Sequence, residues 1–166
     1  MNSTAKVIMD QIRIEQTMRR MAYEIYENNE QEKELIVIGV QDNGSILADQ
    51  LSGLLQGISP ISISRIDVTL DKIHPSEVVL SQSMDFNNRN ILLVDDVANS
   101  GKTLLYAMKP LLEFLPKRIQ TAVLVDRMHK SYPVMVDFIG HSLSTTLQEN
   151  ILVHIHGTQI QKATLS

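Results

Sequence analysis

Cysteine and tryptophan are absent from this 166-residue chain, and only three phenylalanines and four tyrosines are present. Without thiols there is no disulfide, no thiolate nucleophile and no zinc–thiolate site, and the composition suits a reducing compartment. With so few rings the core must rest on Ile, Leu, Val and Met, and the aromatic platforms that stack single-stranded nucleic acid are missing. A basic excess is missing too. The net charge is −4 and the pI about 5.7, so the sequence shows no global nucleic-acid footprint. No apolar run approaches the roughly 18 residues of a membrane span, and the N-terminus lacks the apolar core of a signal peptide. The expectation is a cytoplasmic protein that makes no use of a membrane.

What is present is the composition of an ordinary globular domain, 43% hydrophobic and 20% charged. No repeat, low-complexity tract or Gly/Ser linker divides it, so residues 1–166 are expected to form a single domain. Apolar residues recur at helical spacing over residues 10–28 (Ile14, Met18, Met21, Ala22, Ile25). Continuous apolar runs, ELIVIGV at residues 34–40 and NILLVD at residues 90–95, read as strands covered on both faces. Strand patterns also fall on residues 61–70, 119–126, 136–140 and 151–156, with helices expected after Gly44 and over residues 102–115. Residues 71–90, polar and carrying Pro75, predict a long loop or weak hairpin of the kind that serves as a lid. Strands alternating with helices argue for a parallel α/β sheet with helices on both faces. Ligands of such sheets sit at the carboxyl ends of the strands. QDNG, DDVANSGKT and DRMHKSYP all fall there.

The stretch ILLVDDVANSGKTLLYAM (residues 91–108) ends like a nucleotide-binding loop but begins with two carboxylates. A Walker A loop would require glycine at position 96, and that residue is Asp96. Adjacent carboxylates repel a polyphosphate. They suit vicinal hydroxyls, or a hydrated divalent cation. Downstream, Asn99-Ser100-Gly101 turns the chain into a helix, where free N–H groups and the hydroxyls of Ser100 and Thr103 suit a phosphate. A diol at one end and a phosphate at the other describe a ribose 5-phosphate.

The ordered run from Val94 through Asp95, Asp96, Val97, Ala98, Asn99, Ser100, Gly101 and Lys102 to Thr103 resembles the phosphoribosyl pyrophosphate (PRPP) signature of the type I phosphoribosyltransferases. TMRRMAYEIYE, IGVQDNGSILADQL, RIDVTL and AVLVDRMHKSYPVMVDFIG extend the likeness, which is strongest to the pyrimidine operon attenuator / uracil phosphoribosyltransferase family. The resemblance implies a fold with a five-stranded parallel core, helices on both faces and a small hood. It implies a homodimer or higher oligomer, Mg²⁺, and conversion of uracil and PRPP to UMP and pyrophosphate. Regulatory members also bind an operon RNA. By the same resemblance Asp95 and Asp96 hold the ribose hydroxyls and reach Mg²⁺. Residues 97–103 hold the phosphate, and Gln41, Asp42, Asn43 and Gly44 lie along the pyrophosphate. Asp126 and Arg127 face the base.

Two positions depart from the family pattern. The pyrophosphate loop ordinarily carries a cation before its glycine, whereas Asn43 stands before Gly44 and residues 39–48 contain no Lys or Arg. The lid ordinarily begins Tyr-Arg, whereas this one reads Asp71-Lys72-Ile73-His74-Pro75; Lys72 or His74 could stand in, Lys72 being the candidate catalytic cation, though neither replaces a planar guanidinium. Asn99 cannot take a proton, which counts against a purine, where relatives place an Asp. Two readings follow. One is a Mg²⁺-dependent transferase acting on a pyrimidine, and it is preferred. The other is a nucleotide-sensing regulator of the same fold with little catalysis. His154 and His156 read as ordinary strand residues, and Arg13, Arg19 and Arg20 as a solvated helix face.

Overall fold

The structure, a computed structural model, describes residues 5–166. In chain order these form β1 (Lys6–Asp10), α1 (Gln11–Asn29), β2 (Glu34–Val40), α2 (Asn43–Ile58), β3 (Ser62–Leu70), β4 (Val78–Leu80) and β5 (Asn90–Ala98). There follow α3 (Lys102–Ala107), a 3₁₀ turn (Lys109–Leu111), β6 (Arg118–Arg127), β7 (Phe138–Leu143), β8 (Ile151–His156) and β9 (Gln159–Leu165). The long apolar runs take the middle of a six-stranded sheet ordered β4-β3-β2-β5-β6-β7. Neighbours from β3 through to β7 are parallel, and the short β4 closes one edge antiparallel to β3. Every β2 residue after Glu34 is buried, as expected of a strand with helices on both sides.

Alternating strand residues feed two cores. On one face Val37, Leu92, Val94 and Leu124 meet Ile14, Met18, Met21 and Ile25 of α1 and Leu47, Leu51 and Leu55 of α2. The other face places Ile36, Ile38, Leu93 and Val123 against Phe86, Leu104, Ala107 and Leu111. The α1 helix begins cleanly because the Asp10 carboxylate accepts from the Arg13 N–H at 2.8 Å. At the far edge α1 crosses β7 closely: a Cβ on Gly140 would lie 3.0 Å from Thr17 Cγ2 of α1, and 2.3 Å from the Leu124 carbonyl oxygen of the neighbouring β6.

The structure differs from the sequence pattern in four places. The helix expected over residues 102–115 stops at Ala107, and the chain continues as a 3₁₀ turn. Pro110 lacks an N–H and disfavours helical geometry at the residue before it. Residues 151–156 form a strand, but not in the parallel sheet. As β8 they edge a separate antiparallel sheet ordered β1-β9-β8, the hood. Its other strands, β1 and β9, had no apolar run to announce them, since each buries few of its residues. Arg20 is also not merely solvated: its guanidinium donates to the Ile139 and Gly140 carbonyls at 3.2 and 2.7 Å, tying α1 to β7. The hood is no loose flap, for Ile151, Val153, Ile160 and Ala163 belong to the same core as α1 and α2.

Candidate active site

The carboxyl end of β5 carries the site. This strand continues through Ala98, so Asp95 to Ala98 are held by ladder bonds to β6 rather than hanging in a loop. The turn that follows passes through Gly101 at φ 86°, a left-handed conformation that favours glycine. Residues 128–137 hold the turn from outside, with the Ser131 and Tyr132 N–H groups both donating to the Ser100 carbonyl at 3.0 Å. Ser100 Oγ accepts from the Lys102 N–H at 3.3 Å. A cavity of about 220 Å³ opens above, lined by residues 95–104, by Asn43 and Lys72, and by residues 151–153 of the hood.

Within it the two carboxylates differ. Asp95 is 1% exposed; its Oδ1 accepts from the Asp96 N–H at 2.9 Å while its Oδ2 is buried with no hydrogen-bond partner. Burial, and then the charge of Asp96, push the Asp95 carboxyl well above its ordinary range, and the Lys72 ammonium opposes them. Lys72 Nζ lies 3.8 Å from Asp95 Oδ1. Asp96 is more open and fully engaged: Oδ1 accepts from the Val97 N–H at 2.9 Å and Oδ2 from the Asn43 carboxamide at 2.9 Å. The same Asn43 nitrogen donates to the Val153 carbonyl at 3.2 Å. Asn43 and Gly44 are the first residues of α2 rather than loop, and Gly44 brings that helix against the Val94 carbonyl and Asp95.

Beneath this, a network with no motif to announce it fixes the start of α2. Arg65 reaches Asp49 at 2.8 Å, Asp67 at 2.7 Å and the Ser45 carbonyl at 2.8 Å, and Ser45 Oγ donates to Asp67 at 2.6 Å. Only the position of these residues one turn inside the predicted helix, and beside it on β3, could have hinted at that role. Gln41 and Asp42 do not line the cavity: Gln41 Oε1 accepts from the Thr69 hydroxyl at 2.7 Å, and Asp42 is exposed at the N-cap of α2. Asp126 and Arg127 do not line the cavity. Asp126 is buried and paired with Lys130, while Arg127 donates to the Thr146 carbonyl in the loop before β8.

The lid is short and docked. The exposed Asp71 carboxylate accepts from the Ile73 and His74 N–H groups at 2.8 and 3.0 Å, which also holds its pKa below the ordinary value. Lys102 Nζ donates to the Ile73 carbonyl at 2.9 Å, and Lys109 Nζ to that of Ser76 at 3.1 Å. Removing the first tie by Lys102→Met is expected to speed tryptic cleavage after Lys72 roughly fivefold, the worth of one partly exposed hydrogen bond. Equal cleavage rates would mean that Lys102 does not hold the lid.

A parallel sheet whose fifth strand ends in a carboxylate pair, followed by a phosphate-sized turn under a hood, is the architecture of a phosphoribosyltransferase. Residues 5–154 match the family model described as the phosphoribosyl transferase domain, and the chain belongs to that family of enzymes. It is 34% identical over 157 residues to "Bifunctional protein PyrR" of Macrococcus caseolyticus, covering 89% of this chain and 90% of that protein. The protein of the same name from Clostridioides difficile is 32% identical over 158 residues, covering 89% of each. Among solved structures, the hypoxanthine phosphoribosyltransferase of Trypanosoma cruzi superposes with a TM-score of 0.79 over 95% of both chains at 14% identity, a likeness of fold. A hypoxanthine-guanine phosphoribosyltransferase of Bacillus anthracis gives 0.70 over 84% of this chain and 82% of its own at 16% identity.

Proposed function

We propose that the chain transfers the ribose 5-phosphate of PRPP to a pyrimidine base, uracil, releasing pyrophosphate. The observation that carries this is one cavity shared by the Asp95–Asp96 pair, the turn of residues 99–103 and the hood edge at residues 151–153. Its parts suit, in order, a diol, a phosphate and a flat heterocycle. The names of the curated relatives support the same direction.

The turn takes the 5-phosphate, with Ser100, Thr103 and the backbone N–H groups as donors. Asp96 accepts from a ribose hydroxyl. Asp95, buried against Gly44, holds its backbone neighbour and lends negative potential to the anomeric centre, which becomes cationic as the pyrophosphate leaves. Lys72 is the cation nearest the pair and faces the departing pyrophosphate, and the N-terminus of α2 adds its positive end there. The donor set also fits Mg²⁺. Two neighbouring carboxylates, one with an unpartnered oxygen, are what a Mg²⁺ that keeps substrate oxygens and waters requires. No group of three such ligands occurs among the described residues, so the substrate would complete its shell. Asp95 and Asp96 would hold the ion, and when bound it would neutralise charge on the leaving pyrophosphate.

A second reading, a nucleotide-binding regulator that also contacts RNA, is favoured by Asn43, whose neutral carboxamide stands where the pyrophosphate would gain from a charge. One assay separates the two: UMP formation from uracil, PRPP and Mg²⁺, with Asp96→Asn alongside. The expected result is turnover in the native chain that falls about 100-fold or more in Asp96→Asn with the fold unchanged. UMP binding without turnover would support the regulator, and binding of neither would remove both.

A further inference from the structure

Asn43 spans the cavity. Its single carboxamide nitrogen donates one hydrogen to Asp96 Oδ2 at 2.9 Å and the other to the Val153 carbonyl at 3.2 Å. The first acceptor belongs to the ribose side of the cavity. The second sits on β8, the edge strand of the hood, among the residues that close the opposite side. Both acceptors are therefore engaged by the one carboxamide. The strap's own anchorage is firm, because Asn43 begins α2 and the next residue but one is locked by Arg65 and Asp67.

We infer that Asn43 is a positioning residue that couples the two halves of the site, masking Asp96 and the Val153 carbonyl together and releasing them together. This rests on the phosphoribosyltransferase reading above and deepens it. A ligand hydroxyl that takes the position on Asp96 Oδ2 now held by the carboxamide displaces it. Once it swings away, the Val153 carbonyl is open to a ring N–H of a base. The converse holds equally: a base that claims Val153 first unmasks Asp96. Whichever ligand arrives first carries the cost of displacing the strap and the second does not, so the sites bind cooperatively and reciprocally.

The test is calorimetry on the full chain with ribose 5-phosphate and uracil, alone and together, in the native protein and in Asn43→Ala. In the native protein, saturating ribose 5-phosphate is expected to tighten uracil about fivefold, the worth of one exchanged hydrogen bond. In Asn43→Ala the two should bind independently, and each alone should bind more tightly than to the native chain. A role in stability alone would shift the melting temperature without touching this ratio. Equal cooperativity in both proteins, or none in either, overturns the inference. If the native chain binds neither ligand, the functional reading falls, and the strap is decided on the ligand-free protein. Amide exchange of residues 151–156 that is faster in Asn43→Ala retains it as a tie between α2 and the hood, and unchanged exchange removes it. Asn43→Ser, which keeps a residue suited to a helix start, repeats the comparison should the alanine variant fold poorly.

Discussion

Gly44→Ala is expected to lower the turnover or PRPP affinity of this protein by on the order of 100-fold while leaving a folded chain. A Cβ at this position would sit 2.8 Å from the Val94 carbonyl oxygen, 3.0 Å from Asp95 Cα and 3.1 Å from Asp95 Oδ1. The first two are backbone atoms of the central strand and cannot swing aside. Instead α2 must lift, and with it Asn43 and the ties from Ser45 to Arg65 and Asp67. The displacement is small, but it falls between the carboxylate pair and the helix that faces the leaving group, where misplacement by about 1 Å is costly. Stability should drop by about 1–3 kcal/mol, the usual range for overpacking. Gly53→Ala is the control on the same helix. Nothing lies within 4 Å of its Cβ, so it should stabilise the chain by about 0.5–1 kcal/mol and leave ligand binding alone. Comparable losses in both variants would show that helix propensity, not the contact with Asp95, sets the result.

The contrast between those glycines explains which parts of the fold were legible in the sequence. Where burial is two-sided, the pattern is unambiguous: β2 and β5 are continuous apolar runs, and α1 buries Ile14, Met18, Met21 and Ile25 at helical spacing. The hood strands are covered on one side and carry Lys6, Gln159, Gln161 and Lys162 among few buried residues, so β1 and β9 give no such run. Their existence is set by pairing between chain ends, Lys6 with Leu165 and Asp10 with Lys162, which no local pattern records. Likewise the apolar spacing of α3 runs past Pro110 while the helix stops at Ala107, because backbone chemistry outranks spacing there.

The candidate site was legible for the same reason that it is compact. Residues 95–103 lie in one stretch, and a diol next to a phosphate follows from their order alone. Of the two lid residues that could supply a cation, Lys72 and His74, the structure sets Lys72 3.8 Å from Asp95 and in the cavity lining. What the sequence hides is the far wall. Residues 151–153 line the cavity from a sheet edge, and the Asn43 carboxamide joins two acceptors, Asp96 and the Val153 carbonyl, that lie far apart in the sequence. Asp126 and Arg127 show the opposite effect. Their side chains are spent on Lys130 and on the Thr146 carbonyl in the loop before β8 rather than lining the cavity.

Asp95→Asn is expected to stabilise the ligand-free protein at neutral pH while removing its ability to bind PRPP with Mg²⁺. The carboxylate is buried, it has an oxygen without a partner, and its nearest cation is 3.8 Å away on an exposed side chain. Burial first, and the charge of Asp96 second, hold its carboxyl above the ordinary value of 3.8. Across the interval between that value and the folded one, the folded chain keeps a proton that the unfolded chain has released, so stability falls as pH rises. The contribution is intact below pH 3.8 and lost once the pH passes the folded value. An amide has no such interval. In Mg²⁺-free buffer at pH 7 the variant should therefore melt a few degrees higher, about 2–4 °C for each kcal/mol relieved in a chain of this size. The gap should close as both proteins are brought toward pH 4. Binding should move the opposite way, because the amide can neither hold the cation nor supply negative potential at the anomeric carbon. A group kept at the expense of stability is the mark of function. If the variant were less stable at pH 7, Asp95 would be a structural carboxylate satisfied by the Asp96 N–H and Lys72, and Asp96 alone would be left to receive the ribose.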